Sequence, residues 1–248
     1  MINSQSSLSL IIPALNEEKV VQQVITDIYA VVSAHFMNYE VILVDDGSKD
    51  ATGGIMDAFA KVHPNVSVVH NKRNISLGGS FQKALPMARC DHVMLLCGDG
   101  GLPASSLPLI FENIGKADIV IPYINNLKRI KSPGRYLLSR TYVHLLNFLF
   151  GLNLRYYNGL PVYPRKMLSA IEIKSNGFGF QGEILVKLIK SRCSFVEVGV
   201  DGAEQTKRSF ALRPRNIVSV VRTLLRLIFE IMRFKPVESR IEALRQQL

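Results

Sequence analysis

A chain of 248 residues that is 48% hydrophobic can bury a full core, so one globular α/β unit with a C-terminal appendage is expected. Its three cysteines, Cys90, Cys97 and Cys193, are odd in number and lack metal-ligand spacing, which argues against a disulfide framework and for a reducing compartment. The net charge of +10 is uneven: residues 1–127 hold 8 Lys/Arg against 12 Asp/Glu and residues 128–248 hold 22 against 8, so the two halves face different partners.

Met1 to Ser7 is polar, and no charged segment followed by an apolar one opens the chain, so secretion is not expected. Leu8 to Pro13 reads as a first strand. Asn16 then stands before Glu17 and Glu18 as a helix N-cap, with Val20, Val24, Ile28 and Val31 at helical spacing. The run VILVDDGSKD, Val41 to Asp50, is a buried strand ending in Asp45, Asp46, Gly47 and Ser48. In an open α/β sheet ligands sit outside the carboxyl ends of strands, so the two aspartates stand where a ligand would be held; a plain turn, with Ser48 or Asp50 capping the next helix, is the alternative.

A helix over about 50–62 and a strand at Val66 to His70 follow, and βα units in series imply a parallel sheet. Leu77-Gly78-Gly79-Ser80 reads as a loop entering a helix through Ala84 to Met87; its glycines either let the backbone approach a ligand or make a tight turn. His92 to Leu96 is a fourth strand that empties into Cys97-Gly98-Asp99-Gly100-Gly101. A single carboxylate suits magnesium if a diphosphate supplies further oxygens; otherwise Asp99 bonds its own turn.

Beyond a strand at Ile119 to Pro122 the chain turns basic, with Lys128, Arg129, Lys131, Arg135 and Arg140 leading into an apolar helix, Tyr136 to Phe150, too short and interrupted to span a bilayer. A strand at Asn158 to Tyr163, a helix at Gln181 to Lys190 carrying Glu183, and a last strand at Phe195 to Val200 complete the domain. From Lys207 onward a helix over about 216–233 places Arg222, Arg226 and Arg233 on one narrow face, with Val218, Val221, Leu225, Ile228 and Met232 on others. This basic amphipathic helix suits an anionic membrane interface, or packs on the domain or a second copy. The expected division is residues 1–215 as the domain and 216–248 as helix and tail.

No G-x-G-x-x-G opens the first helix, and no P-loop, G-x-S-x-G or H-E-x-x-H motif occurs. The ordered set IIPALNEE, VILVDDGSKDAT, NISLGGSFQKAL and LLCGDGG resembles the inverting family 2 glycosyltransferases of the GT-A fold. Arg135-Tyr-Leu-Leu-Ser139, Tyr157-Asn-Gly159-Leu-Pro-Val-Tyr163, Glu183-Ile-Leu and Glu197-Val resemble its dolichyl-phosphate mannosyltransferase-like branch. The resemblance implies a Rossmann-like, mostly parallel sheet flanked by helices, and transfer of a sugar, with inversion, from a UDP- or GDP-linked donor to a polyprenyl phosphate at the cytoplasmic face of a membrane. It further implies that Pro13, Ala14, Asn16 and Glu17 flank the nucleobase and ribose, that Asp45 meets the base and that Asp46 lies near the ribose. Gly78 falls in a donor-binding element, and Arg135, Lys207 and Arg208 are phosphate ligands.

The family's Asp-x-Asp followed by Gln reads here as Cys97, Asp99 and Gly101, leaving Asp99 alone to hold a magnesium or manganese ion. Asp45, Asp46 and Asp99 would repel a diphosphate unless a cation or the basic second half neutralised it, which argues for a cation. A phosphate acceptor needs no general base; a sugar hydroxyl does, and Glu183 is then the residue the resemblance implies. Extension of a glycan or lipid-linked saccharide, and a non-catalytic nucleotide-binding subunit, are the other readings. Nucleic acid ranks low, because the basic helix lacks an aromatic stacking platform, and homo-oligomerisation stays open.

Overall fold

A computed structural model describes residues 6–177, 179–203, 222–223 and 225–229. Strands β1 (Leu8–Ala14), β2 (Tyr39–Asp45), β3 (Val66–His70), β4 (His92–Leu95), β5 (Ile119–Ile124), β6 (Val162–Pro164) and β7 (Phe195–Val200) form one sheet in the order β3-β2-β1-β4-β6-β5-β7. All neighbours are parallel except β6, which runs antiparallel to both β4 and β5. The chain thus lays β2 and β3 to one side of β1 and every later strand to the other. The strand order reverses between β1 and β4, and that is where an open α/β sheet leaves a crevice.

Alternate residues of each strand feed opposite layers. Leu10, Ile12, Leu43, Met94 and Val120 pack under α1 (Val21–His35), α2 (Thr52–Val62) and α4 (Leu107–Phe111). Ile11, Ile42, Val44, Leu95 and Ile121 pack under α3 (Leu77–Ala84), α6 (Pro133–Phe150), α7 (Arg165–Leu168) and α8 (Phe180–Lys190). A short helix, α5 (Leu127–Ile130), links β5 to α6. Each fully buried aliphatic side chain stabilises the fold by about 1.5–3 kcal/mol, so these two layers dominate folding.

Three local expectations change. Helix α1 begins at Val21, not after Asn16: Asn16 takes a left-handed φ of 54°, which asparagine tolerates, and the buried stripe is Val21, Ile25, Ile28 and Val32. Gly78 and Gly79 lie inside α3 rather than in a loop before it. Strand β6 begins only at Val162, because Gly159 lies against the Pro122 backbone where no Cβ fits, and Leu160 then turns the chain at φ 61°.

Most of the expected C-terminal helix lies outside the described residues. Its described turn is helical and packs on the domain, with Leu227 buried and Ile228 partly buried in the same layer as α8.

Candidate functional site

The crevice is built from the carboxyl ends of β1, β2 and β4. After β4 the chain stays tied to β1 through Leu96 N–H to Ile11 O and Gly98 N–H to Pro13 O, both 2.9 Å. A Cβ on Gly98 would stand 2.7 Å from Ala14 Cβ, so glycine is what lets this turn close on β1 and carry Asp99 to the mouth. Asp99 is exposed, and its Oδ1 accepts the Gly101 N–H at 3.0 Å. Across β1, the Asp46 N–H donates to Ala14 O at 2.9 Å, so Pro13 and Ala14 form the floor between the two acidic turns.

The loops after β1 and β2 are laced together. Asn16 N–H donates to Ser48 Oγ at 3.0 Å and Lys49 N–H to Asn16 Oδ1 at 2.8 Å. Glu17 N–H reaches Thr52 Oγ1 at 2.8 Å, while Ala51 N–H donates to the Glu18 carboxylate at 3.1 Å. Glu17 and Glu18 therefore precede α1 and brace α2; no acidic residue lies in the first turn of α1.

The two aspartates have different surroundings. Asp45 is nearly buried, accepting the Ser48 N–H at 2.9 Å on Oδ1 and facing His70 Nδ1 at 3.1 Å on Oδ2. Burial pushes its pKa up, but Ser48 and His70 outweigh that and hold it below the usual carboxylate range. The other ring nitrogen of His70 lies 3.0 Å from Asp57 on α2, and the two carboxylates, Asp57 foremost, raise the imidazole pKa against a smaller effect of burial. Asp46 Oδ1 accepts both Asn71 Nδ2 and Ile75 N–H at 2.9 Å, and Lys83 Nζ holds Asn71 Oδ1 at 2.7 Å. Gly47, at φ 76°, packs on the backbone of Arg73 and Asn74 with no room for a Cβ. These contacts stretch residues 71–76 along the crevice rim and end at exposed Ser76, whose φ of 73° and ψ of 162° store on the order of 1–3 kcal/mol of strain at the start of α3.

Gly78 faces protein. Its N–H donates to Asn176 O at 3.1 Å, and a Cβ there would meet that oxygen at 2.8 Å. Of the glycine pair, Gly78 closely approaches Asn176 and Gly79 faces the Ile75 side chain. Gln82 Nε2 adds bonds to Ser175 O at 2.9 Å and Asn176 Oδ1 at 2.8 Å.

Glu183 belongs to that segment's anchor. It is 1% exposed; Oε1 accepts Lys174 N–H at 3.0 Å and Lys187 Nζ at 2.7 Å, and Oε2 accepts Ser175 N–H at 2.9 Å and Arg226 Nη2 at 3.1 Å. Burial pushes its pKa up, but Lys187, Ser175 and Lys174 outweigh it and the net shift is downward. A general base needs proton affinity and an available lone pair. Glu183 has four bonds on its two oxygens and a depressed pKa, so its geometry is that of a buried salt-bridged glutamate instead.

Arg135 stands half-buried in the first turn of α6. Lys207 and Arg208 lie outside the described residues. Among the described residues no group of three or more His, Cys, Asp and Glu side chains could hold a metal ion. Asp99 alone fits a cation only as part of a site that substrate phosphate oxygens complete, which is how magnesium is commonly held. Sequence reasoning passed over His70 and Asn71, and it read Arg226 as part of a basic face, whereas Arg226 turns in to Ser175 and Glu183. For His70 a signal existed: it ends β3 in the register position opposite Asp45.

A mostly parallel sheet with an acidic crevice at its switch point defines an α/β fold whose ligand site lies outside the carboxyl ends of its strands. Residues 9–170 match the glycosyl transferase family 2 model, and the chain belongs to that family. It is 28% identical over 197 residues to an undecaprenyl-phosphate mannosyltransferase of Micrococcus luteus, covering 74% of this chain and 81% of the other. It is 26% identical over 158 residues to a dolichyl-phosphate beta-glucosyltransferase of Trichomonas vaginalis, covering 59% of this chain and only about half, 49%, of that one. Among solved structures, glucosyl-3-phosphoglycerate synthase of Mycobacterium tuberculosis in complex with Mn2+, UDP and glucosyl-3-phosphoglycerate superposes with a TM-score of 0.68 at 19% identity. The match covers 90% of this chain and 80% of that one, and the likeness establishes the GT-A fold.

Proposed function

We propose that this chain transfers a sugar, with inversion, from a UDP- or GDP-linked donor to a polyprenyl phosphate at the cytoplasmic face of a membrane. The single observation that supports the acceptor class is that Glu183, the base implied for a sugar hydroxyl, is committed to Lys174, Ser175, Lys187 and Arg226. A sugar hydroxyl would need a base to take its proton, whereas a lipid phosphate arrives ionised and needs none. The two relatives just described are named for transfer to undecaprenyl and dolichyl phosphate.

In this reading Pro13, Ala14, Asn16 and Glu17 flank the base and ribose, Asp45 presents its carboxylate to the base, and Asp46 holds the 71–76 rim beside the ribose. The diphosphate lies toward Asp99, with Arg135, Lys207 and Arg208 as its cationic partners or those of the acceptor phosphate. A magnesium or manganese ion held by Asp99 and the diphosphate would supply charge stabilisation to the departing nucleoside diphosphate. Residues 1–215 form the transferase domain and 216–248 an appendage whose described turn packs on the domain with Leu227 buried and whose outer side contacts the membrane.

Incubation with radiolabelled nucleotide sugars and polyprenyl phosphate tests this. The expected product is extractable into organic solvent and labile to mild acid. Label appearing only in an acid- and alkali-stable glycoside would support glycan extension, and no turnover with any donor would support a non-catalytic nucleotide-binding subunit.

A further inference from the structure

We infer that the outer face of α6, together with the exposed side of the helical turn at 222–229, is the surface by which this protein lies on an anionic lipid bilayer; the inference rests on the lipid-phosphate acceptor proposed above. Helix α6 is apolar on both sides. Val143, Leu146 and Phe150 are buried toward α8, yet Leu137, Leu145 and Phe148 on the other side are 67%, 40% and 85% exposed. A helix with a second apolar face requires something to cover it.

The neighbouring turn extends the patch. A Cβ on Gly182 would meet Tyr142 and Leu146 of α6, and one on Gly179 would meet Thr223, so α6 and the 222–229 turn lie side by side over the first turns of α8. Thr223 and Leu227 face inward, while Leu225 and Phe229, one turn apart, are 54% and 66% exposed. Both outer faces point away from α8.

Charge selects the partner. Residues 119–171 contain no Asp or Glu, and Lys128, Arg129, Lys131, Arg135 and Arg140 lie on α5, the α5–α6 link and the first half of α6. Apolar side chains with a cationic border and no carboxylate within residues 119–171 suit an interface of anionic headgroups over acyl chains. No helix among the described residues is long and apolar enough to cross a membrane, and α6 carries Arg140 and His144 in its middle, so it would lie in the interface plane. Placement agrees with use: Asn126 and Gly202 exchange two bonds of 2.9 Å, and Ala203 N–H donates to Gly101 O at 3.1 Å, which seats the start of the α5–α6 unit beside the Asp99 turn. An acceptor phosphate at headgroup depth would meet the crevice while its lipid tail stays in the bilayer.

The chain contains no tryptophan, so Phe148→Trp introduces a single indole reporter. With phosphatidylcholine vesicles containing phosphatidylglycerol, its emission is expected to shift to the blue and to be quenched by brominated acyl chains, with a much smaller response to phosphatidylcholine alone. The double variant Leu137→Ser/Phe148→Ser is expected to partition at least tenfold more weakly, with unchanged melting temperature and unchanged stabilisation by UDP or GDP. Unshifted emission, wild-type partition of the double variant, or loss of a dimer with vesicle binding intact would overturn the surface. Partition lost in the double variant while the wild type transfers no sugar to polyprenyl phosphate would support the surface and overturn the acceptor reading instead.

Discussion

Glu183 and Arg226, 43 residues apart in sequence, meet at 3.1 Å, and through them the C-terminal helical turn is fastened to the segment that supports the crevice rim. Arg226 also donates to Ser175 Oγ at 2.6 Å, Ser175 and Asn176 hold Gln82 and Gly78 of α3, and α3 begins at the strained Ser76. The contact is a continuous set of hydrogen bonds from the outer apolar surface to the rim.

Removing the carboxylate charge at Glu183 would leave Lys187, which is 3% exposed and also donates to Glu172 O at 2.7 Å, without the carboxylate it pairs with. Glu183→Gln is expected to lower stability by about 3–5 kcal/mol, the usual cost of breaking a buried pair from one side, read from urea unfolding midpoints. Arg226→Gln, at a partly exposed position, is expected to cost about 1 kcal/mol. The pH dependence has a fixed sign. The folded pKa of Glu183 lies below its ordinary 4.5, so this stabilisation is complete above 4.5 and is lost as pH falls through the folded value. Glu183→Gln should therefore flatten the acid limb of the stability curve; a wild-type acid limb would contradict the network.

His70 makes the opposite prediction. A neutral imidazole has one N–H, so bonds from both ring nitrogens to Asp45 and Asp57 require the protonated ring. The groups facing it are Asp45 on β2 and Asp57 on α2, with Lys83 from α3 donating to its backbone oxygen at 3.2 Å. Its folded pKa is raised above the ordinary 6.5, so the stabilisation it adds is present below 6.5 and fades as pH rises through the folded value. A histidine ring titration followed by NMR should show a midpoint above 6.5 that moves back toward 6.5 in Asp57→Asn.

Most of the sheet was legible because its strands are apolar runs followed by polar or turn-forming residues, and the crevice was legible because the ends of β2 and β4 lead into Asp45, Asp46 and Asp99. What failed to show depends on contacts distant in sequence. Asparagine after a strand is as suited to a left-handed turn as to an N-cap, and only the bonds to Ser48 and Lys49 decide for Asn16. A glycine pair looks alike whether a ligand or Asn176 comes close, and Glu183 looks alike as a base or as the partner of Lys187 and Arg226. Strand β6 is set by the packing of Gly159 on Pro122, which no periodicity records.

Gly98→Ala tests the seating of the Asp99 turn. The new methyl would meet Ala14 Cβ at 2.7 Å, and overpacking of that kind costs about 1–3 kcal/mol. Melting temperature should fall and nucleoside diphosphate binding should weaken. The shortest contact is with one methyl, and the Pro13 carbonyl oxygen lies 3.2 Å away, so adding Ala14→Gly should restore part of both; a double variant no better than the single would place the strain elsewhere.

Asp99→Asn separates the cation's carboxylate from the rest of the crevice. The side chain is exposed and, among the described residues, bonds only the turn that carries it, a bond asparagine can also accept, so the variant should lie within about 0.5 kcal/mol of the wild type in stability. In the wild type, manganese should add to the stabilisation given by a nucleoside diphosphate, since ligand at about 100 times its dissociation constant contributes about 2.7 kcal/mol. In Asp99→Asn the part added by manganese should vanish, while the metal-independent part, resting on the β1 and β2 ends, remains. Sugar transfer should fall together with the manganese increment. A variant that keeps full manganese enhancement and full turnover would remove Asp99 from the diphosphate end of the crevice, whereas loss of both the metal-dependent and the metal-independent stabilisation would mean that the turn positions the whole donor rather than its phosphates alone.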